Sequence, residues 1–261
     1  MINCQLKVFG IIPARYASKR FPGKPLAMLG DCTMVEWVYR RALKAFDIVV
    51  VATDDERIAE EVRRFGGQAV MTSPTHVSGT DRCAEALALI QEKTGIKADV
   101  VVNIQGDEPF VDPKLLIRLA ECFDDQTIQI ATVVKPFENT ADLFNPNNVK
   151  VVTTTTRRAV YFSRSPIPYI RDFAQEDWIN RHNFFWHLGL YAYRADTLSQ
   201  LTQLQPSPLE VAESLEQNRW LENGFSIRII QTEGENISVD TPEDLVNAQN
   251  IVSRLKLKVK S

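Results

Sequence analysis

The first 135 residues alternate short apolar runs with stretches of helical periodicity, and few folds accommodate that alternation. Val8–Ile12, Ile48–Thr53, Ala69–Thr72, Val100–Ile104 and Ile130–Val134 read as strands. Residues 34–46 set Met34, Val35, Val38, Ala42 and Phe46 on one helical face. Thr53-Asp54-Asp55-Glu56 reads as a capping box for a helix through Phe65. Asp81–Lys93 turns Ala84, Leu87 and Ile90 inward, and Asp112-Pro113 opens a helix with Leu115, Leu116, Leu119 and Phe123 on its apolar face. Val100–Ile104 is almost uniformly apolar, as a central parallel strand must be when helices cover both faces of its sheet. Repeated β-α-β units therefore predict an α/β chain with a mostly parallel sheet. After about residue 135 the pattern changes. Val149–Thr156, Val160–Phe162 and Leu188–Tyr193 come with Pro-rich and aromatic loops and predict an antiparallel extension. A helix at about 208–222, a strand at Ser226–Ile230 and a helix from Pro242 to Leu255 close the chain. Asp172–Phe185 reads as a loop, and the basic Lys256–Lys260 end as a solvated tail.

Composition matters because of one local exception to it. The 261 residues carry a net charge of −3, which gives no global attraction to nucleic acid or membrane. Yet Arg15, Lys19, Arg20 and Lys24 fall within the short segment Pro13–Pro25, separated by small residues and prolines, directly after the apolar Val8–Ile12 run. A buried strand opening into a basic, turn-rich loop suits a polyphosphate, since backbone N–H groups and guanidinium groups then face one cleft. The alternative is a solvated charged turn. The loop is no Walker A sequence, and no GxGxxG dinucleotide fingerprint occurs, which disfavours a nicotinamide oxidoreductase. Cys4, Cys32, Cys83 and Cys122 have no CxxC spacing, and Cys83 and Cys122 read as core residues of a chain in a reducing compartment. His76, His182 and His187 form no ligand cluster, and no apolar run approaches the roughly 18 residues of a membrane span.

Three further segments carry candidate chemistry, because ligands of open α/β sheets bind beyond the carboxyl ends of the strands. Asn103–Pro109 follows a predicted strand; Gly106 permits close backbone approach, and Asp107 stands where a carboxylate can hold Mg²⁺ against phosphate oxygens. In Ser238–Asp244, helix capping accounts for Thr241, Pro242 and Asp244 but not for Asp240, a candidate second metal ligand. Thr75–Arg82 reads either as a nucleoside pocket or as a helix start capped by Thr80.

Taken together, the segments PARYxSxRxPGKPL, ATDDxRI (Ala52–Ile58), HxSGTDR (His76–Arg82), NxQGDEP (Asn103–Pro109), NPNxVKVV (Asn145–Val152), YFSRxPIP (Tyr161–Pro168), HxGxYAYR (His187–Arg194), SPLExxESLEQxRxLExG (Ser207–Gly224) and VDTPEDL (Val239–Leu245) resemble the 3-deoxy-manno-octulosonate (Kdo) cytidylyltransferases, or CMP-Kdo synthetases. The motifs run in order along nearly the whole chain. Lys19 departs from the Thr of many members. The resemblance implies a Rossmann-like nucleotide-diphospho-sugar transferase fold in one domain, 1–261, with sugar binding and dimerisation in about 136–225. It implies a cytoplasmic, Mg²⁺-dependent homodimer that makes CMP-Kdo and pyrophosphate from CTP and Kdo for lipopolysaccharide-type glycans, with no nucleic-acid or membrane partner.

By the same resemblance Ala14, Arg15, Lys24, Ser78, Gly79, Thr80, Arg82 and Asp107 bind the nucleotide. Arg15, Lys24 and Asp107 act in catalysis, and Asp107 and Asp240 hold the metal. Gln105, Arg164, His187, Tyr191, Glu216 and Gln217 face the sugar. Read from the residues alone, Arg164 is either a bidentate carboxylate binder or a surface ion pair, and His187 either a sugar contact or a satisfied core residue. Glu213, Glu216 and Gln217 share one face that either meets the sugar or is a dimer or solvated face. No general base stands out. Rival readings are a cytidylyltransferase for 8-amino-Kdo or sialate, and a silent nucleotide-binding regulator.

Overall fold

The computed structural model describes residues 6–17, 20–234 and 237–259; Cys4, Lys19 and Lys260 lie outside them. The chain divides into two compact units, Met1–Ala120 with Glu235–Ser261, and Glu121–Gly234. The first runs β1 (Val8–Ala14), β2 (Met28–Leu29), β3 (Cys32–Thr33), α1 (Met34–Ala42), β4 (Ile48–Thr53), α2 (Glu56–Arg64), β5 (Ala69–Met71), α3 (Gly79–Thr94), β6 (Val100–Asn103) and α4 (Pro113–Glu121). The second runs β7 (Ile130–Pro136), α5 (Thr140–Phe144), β8 (Lys150–Thr153), β9 (Ala159–Ser163), β10 (Phe185–Arg194), α6 (Ala195–Leu201), α7 (Pro208–Glu213), α8 (Glu216–Glu222) and β11 (Ile227–Gln231). The last helix, α9 (Pro242–Val259), belongs again to the first unit.

In the first unit the sheet is parallel, as the β-α-β pattern predicts. β1 lies between β6 and β4, and β5 flanks β4. All four residues of β6 are buried, which accounts for its unbroken apolar run. Asp55, not Thr53, caps α2, accepting from the Arg57 N–H, while the Thr53 hydroxyl takes the Asp55 N–H. Ser78, not Thr80, caps α3, accepting from the Asp81 N–H. Thr80 therefore falls inside the helix, where it is buried. The α1 helix ends at Ala42 rather than continuing to residue 46, and the Lys44 and Ala45 N–H groups after it bond carbonyls three residues back, at Arg41 and Ala42. At α9 the predicted box is present: the Thr241 N–H donates to Asp244 Oδ2 at 2.9 Å and the Asp244 N–H to Thr241 Oγ1 at 3.2 Å. Val239, Ala248 and Val252 of this closing segment are buried against Leu29 and Met34.

In the second unit β7 pairs in parallel with β11 and antiparallel with β10, and β10–β8–β9 continue antiparallel, as predicted for this half. The register of β10 on β7 breaks between His187 and Tyr191, where Gly189 has φ +75°. The single helix expected at 208–222 is two helices. Ser214 adopts a left-handed conformation (φ 52°) and ends α7 before α8 begins. The segment read as a loop before Phe185 contains a 3₁₀ turn, Gln175–Asn180, that buries Trp178 against Phe137, Leu143 and Phe184. Cys83 is buried, whereas Cys122 is only half-buried. Among the described residues no helix is long and apolar enough to cross a membrane.

Candidate active site

β1 delivers the chain to Ala14, after which the basic loop turns back on itself. The Gly23 N–H closes it on the Tyr16 carbonyl at 2.8 Å, and a 3₁₀ turn starts at Lys24. The Tyr16 ring lies beside Gly23 on one side, with the Arg57 guanidinium 3.3 Å from its centroid. Arg57 is itself forked onto Asp55, Nε to Oδ1 at 2.9 Å and Nη2 to Oδ2 at 2.6 Å. The ATDDxRI segment thus clamps the basic loop. The sequence shows both segments but not the link between them, because the contact joins residues 41 positions apart.

The loop after β6 meets this one. A Cβ at Gly106 would lie 3.0 Å from the Pro13 carbonyl oxygen, so any other residue would push the two backbones apart by a few tenths of an ångström. The next residue, Asp107, accepts from Lys24 Nζ at 2.6 Å. The same ammonium donates to Asp240 Oδ1 at 3.1 Å, and Arg20 Nη2 reaches that oxygen at 3.1 Å. The Val239 N–H donates to the Asp107 carbonyl at 2.9 Å, holding the two aspartate segments together. Residues 24, 107 and 240, chosen from separate motifs, therefore converge.

Beside them opens a cavity of about 310 Å³ lined by Ala14, Arg15, Lys24, Gly79, Gln105 and Asp107. Among the described residues Arg15 forms no ion pair. Burial, then the Arg82 guanidinium, lower its pKa against the opposing pull of Asp54 and Asp81. Arg82 itself is fully buried, with Nη1 on Thr72 at 2.6 Å and Nη2 on Asp54 at 2.9 Å, so it supports the pocket from beneath. Ser78 likewise spends its hydroxyl on the helix cap and on Asp81.

The chemistry of the two aspartates fits Mg²⁺, a hard cation that takes oxygen ligands. The Lys24 ammonium shows that one cation reaches a carboxylate oxygen of each. Among the described residues no group of three or more His, Cys, Asp or Glu side chains gathers at one point. A pair of carboxylates alone would leave a Mg²⁺ ion to take its remaining ligands from substrate phosphates and water.

Within the second unit His187 and Tyr191 lie on one face of β10, their rings 5.2 Å apart, with Phe162 and Trp220 packed against them. The Thr132 hydroxyl donates to the Leu190 carbonyl at 2.7 Å, so it accepts from His187 Nε2 at 3.0 Å, which fixes the imidazole tautomer. Burial lowers the His187 pKa to about 3 and raises that of Tyr191 well above its ordinary value. Both are neutral at physiological pH. Gln217 is buried, and Glu216 pairs with Arg219 at 2.9 Å.

Arg164 is engaged by backbone. Nε donates to the Glu213 carbonyl at 2.7 Å, Nη1 to Pro146 at 3.1 Å and Nη2 to Ser214 at 3.3 Å. These bonds aim the guanidinium and leave two of its five donors over. Glu213 accepts from the Tyr161 hydroxyl, the Ser163 hydroxyl and the Arg164 N–H. Lys150, fully buried, donates to the Asn145 carbonyl at 2.7 Å and the Arg164 carbonyl at 2.8 Å. Sequence reasoning missed Lys150; its signal was a lysine inside the apolar β8 run of the NPNxVKVV segment.

Comparison with known proteins follows the same line. A sequence profile of the family described as "Cytidylyltransferase" matches residues 9–232. A 3-deoxy-manno-octulosonate cytidylyltransferase of Parabacteroides distasonis is 54% identical over 93% of this chain and 97% of its own length. One from Geobacter metallireducens is 46% identical over 97% and 100%. A solved CMP:2-keto-3-deoxy-manno-octonic acid synthetase complexed with CTP superposes with a TM-score of 0.86 at 40% identity, covering 95% of this chain and 99% of that one. A cytidylyltransferase of Leptospira borgpetersenii, 18% identical with a TM-score of 0.57 over 97% and 96%, shares the fold.

Proposed function

This chain belongs to the cytidylyltransferase family, among the 3-deoxy-manno-octulosonate cytidylyltransferases, and from that membership we propose that it transfers CMP from CTP to Kdo. The observation that carries the reading is the convergence of Lys24, Asp107 and Asp240 beside the cavity at the carboxyl end of β1.

The anomeric hydroxyl oxygen of Kdo attacks the α-phosphorus of CTP. Its bond to phosphorus forms as the bond to the β-phosphate oxygen breaks, pyrophosphate leaves with the electron pair, and the hydroxyl proton passes to solvent. Two like charges 4 Å apart repel by about 4 kcal/mol at an effective dielectric near 20, and here a triphosphate meets a sugar carboxylate. Cations must therefore do most of the work. Arg15, free of ion pairs among the described residues, meets the phosphates. Lys24 exchanges its aspartates for phosphate oxygens when the nucleotide enters. Ala14 and Gly79 line the nucleotide side, with Ser78, Thr80 and Arg82 building it from behind, and Gln105 contacts the sugar. Arg164 receives the Kdo carboxylate, and neutral His187 and Tyr191 offer hydrogen bonds to sugar hydroxyls, with Glu216 and Gln217 beside them. Asp107 and Asp240 hold Mg²⁺, which when bound neutralises phosphate charge and orients the triphosphate.

The reading includes a homodimer in the cytoplasm, feeding lipopolysaccharide-type glycan synthesis, with contacts from within 136–225. Exposed Val160 and Val211 there are apolar surface of the sort dimers bury. Pyrophosphate release on mixing CTP, Kdo and Mg²⁺ tests the activity. UTP and ATP should fail, and Kdo should outcompete 8-amino-Kdo and sialate; no release with any pair refutes the proposal. Light scattering should give twice the 29.6 kDa chain mass.

A further inference from the structure

Lys150 is a fully buried cation that the mechanism above does not use. A buried ammonium is costly unless its surroundings compensate it. Its two hydrogen bonds go to backbone carbonyls, at Asn145 and Arg164. Arg164 returns the contact one residue along, Nη1 bonding the Pro146 carbonyl. Two cations thus lace the Asn145–Pro146 turn to the end of β9. The ionisable groups facing Lys150 are Arg164, beyond β9, and Glu213, at the end of α7, whose carboxylate is shared with the Tyr161 hydroxyl. From the other side β10 sets Trp186 opposite it in register, and the Phe137 ring stands 6.0 Å away. Two cations and one carboxylate leave the cluster one negative charge short.

We propose that Lys150 is a positioning residue for the sugar acid: it fixes the Arg164 backbone and supplies the second positive charge that the sugar's carboxylate neutralises. The inference rests on the reading of Arg164 as the carboxylate binder. Burial, and then Arg164, lower the Lys150 pKa to about 8. A carboxylate arriving at Arg164 removes that deficit and raises it again, so above pH 8 sugar binding takes up a proton.

The test is the KM for Kdo at saturating CTP, measured from pH 7 to 10, beside the KM for CTP. In the wild-type chain the KM for Kdo should be flat below pH 8 and climb roughly tenfold per unit above it. Lys150→Arg keeps the charge and cannot lose its proton, so its profile should stay flat and low. Lys150→Met should be flat and at least about tenfold higher, with the KM for CTP within twofold. A purely structural lysine would move both KM values, or kcat alone, without a break near pH 8. A wild-type KM for Kdo with no break overturns the role even if neither variant folds, as does a break that survives in Lys150→Met. A wild-type chain that forms no product overturns the activity itself.

Discussion

At Lys24 one ammonium faces two carboxylates, and this arrangement predicts distinct outcomes for neighbouring substitutions. Asp107→Asn leaves the ammonium with Asp240 and removes one anchor of the phosphate-bound cation, so turnover should fall roughly a hundredfold or more with little change in melting temperature. A folded variant that releases pyrophosphate at the wild-type rate refutes the assignment. His187 yields a pH prediction. Burial holds its folded pKa at about 3, whereas an unfolded imidazole titrates at its ordinary 6.5. The unfolded chain therefore binds more protons between those values, and stability is lost as the pH falls through that window, by about 1.4 kcal/mol per unit. Urea midpoints between pH 4 and 7 should show that slope, and His187→Gln should flatten it. The convergence of Asp107 and Asp240 was legible in the sequence: helix capping accounted for the neighbours of Asp240 but not for it, and the basic loop outweighed reading the Asp107-Glu108 pair as a helix entry. Lys150 was not legible, since a lysine inside a strand is ordinarily read onto the solvent face, and only tertiary packing turns this one inward. Nor did the sequence reveal that Arg164 is gripped by carbonyls at 146, 213 and 214, positions distant in the chain.

Among the elements, β10 depends on its interruption. Three residues, 188 to 190, cross a single position of β7, so His187 and Tyr191, which a regular strand would hold about 13 Å apart on the same face, stand opposite Val134 and Thr132 with their rings 5.2 Å apart. Gly189 holds φ +75°, and a Cβ there would meet nothing within 4 Å. Gly189→Ala is therefore strained by backbone alone and should cost about 1–2 kcal/mol, read as a shift in denaturant midpoint with unchanged slope. A loss well beyond that would mean the bulge itself had collapsed. Regular elements were readable where burial follows one period, as in α2, or is continuous, as in β4 and β6. The break at Ser214 was not, because the residues on both sides suit a helix and the left-handed turn falls on a serine rather than a glycine. The α3 cap was misplaced by two residues for a local reason. Ser78 and Thr80 are both good caps, and the choice falls to Ser78 because Asp81 then accepts its hydroxyl proton.

For the molecule as a whole, the parallel sheet of the first unit and the antiparallel strands of the second followed from hydrophobic period, but the change of pattern at about residue 135 only approximated the division at residues 120 and 235. Pairing explains why: the chain leaves the first unit as α4 ends and returns only for the last segment. That return carries two separable contributions. Asp240 completes the carboxylate pair with a residue 133 positions earlier, while Val239, Ala248 and Val252 fill a core with Leu29 and Met34. Asp240→Asn should therefore remove activity and leave the melting temperature nearly unchanged, its partner Lys24 still being held by Asp107. Deleting residues 238–261 removes the same carboxylate together with buried apolar side chains worth roughly 1.5–3 kcal/mol for each large one. That truncation should melt far lower, expose apolar surface to a dye such as ANS, and fail to regain stability when Mg²⁺ and CTP are added. A truncated chain as stable as the point variant would mean that the closing helix serves the site alone.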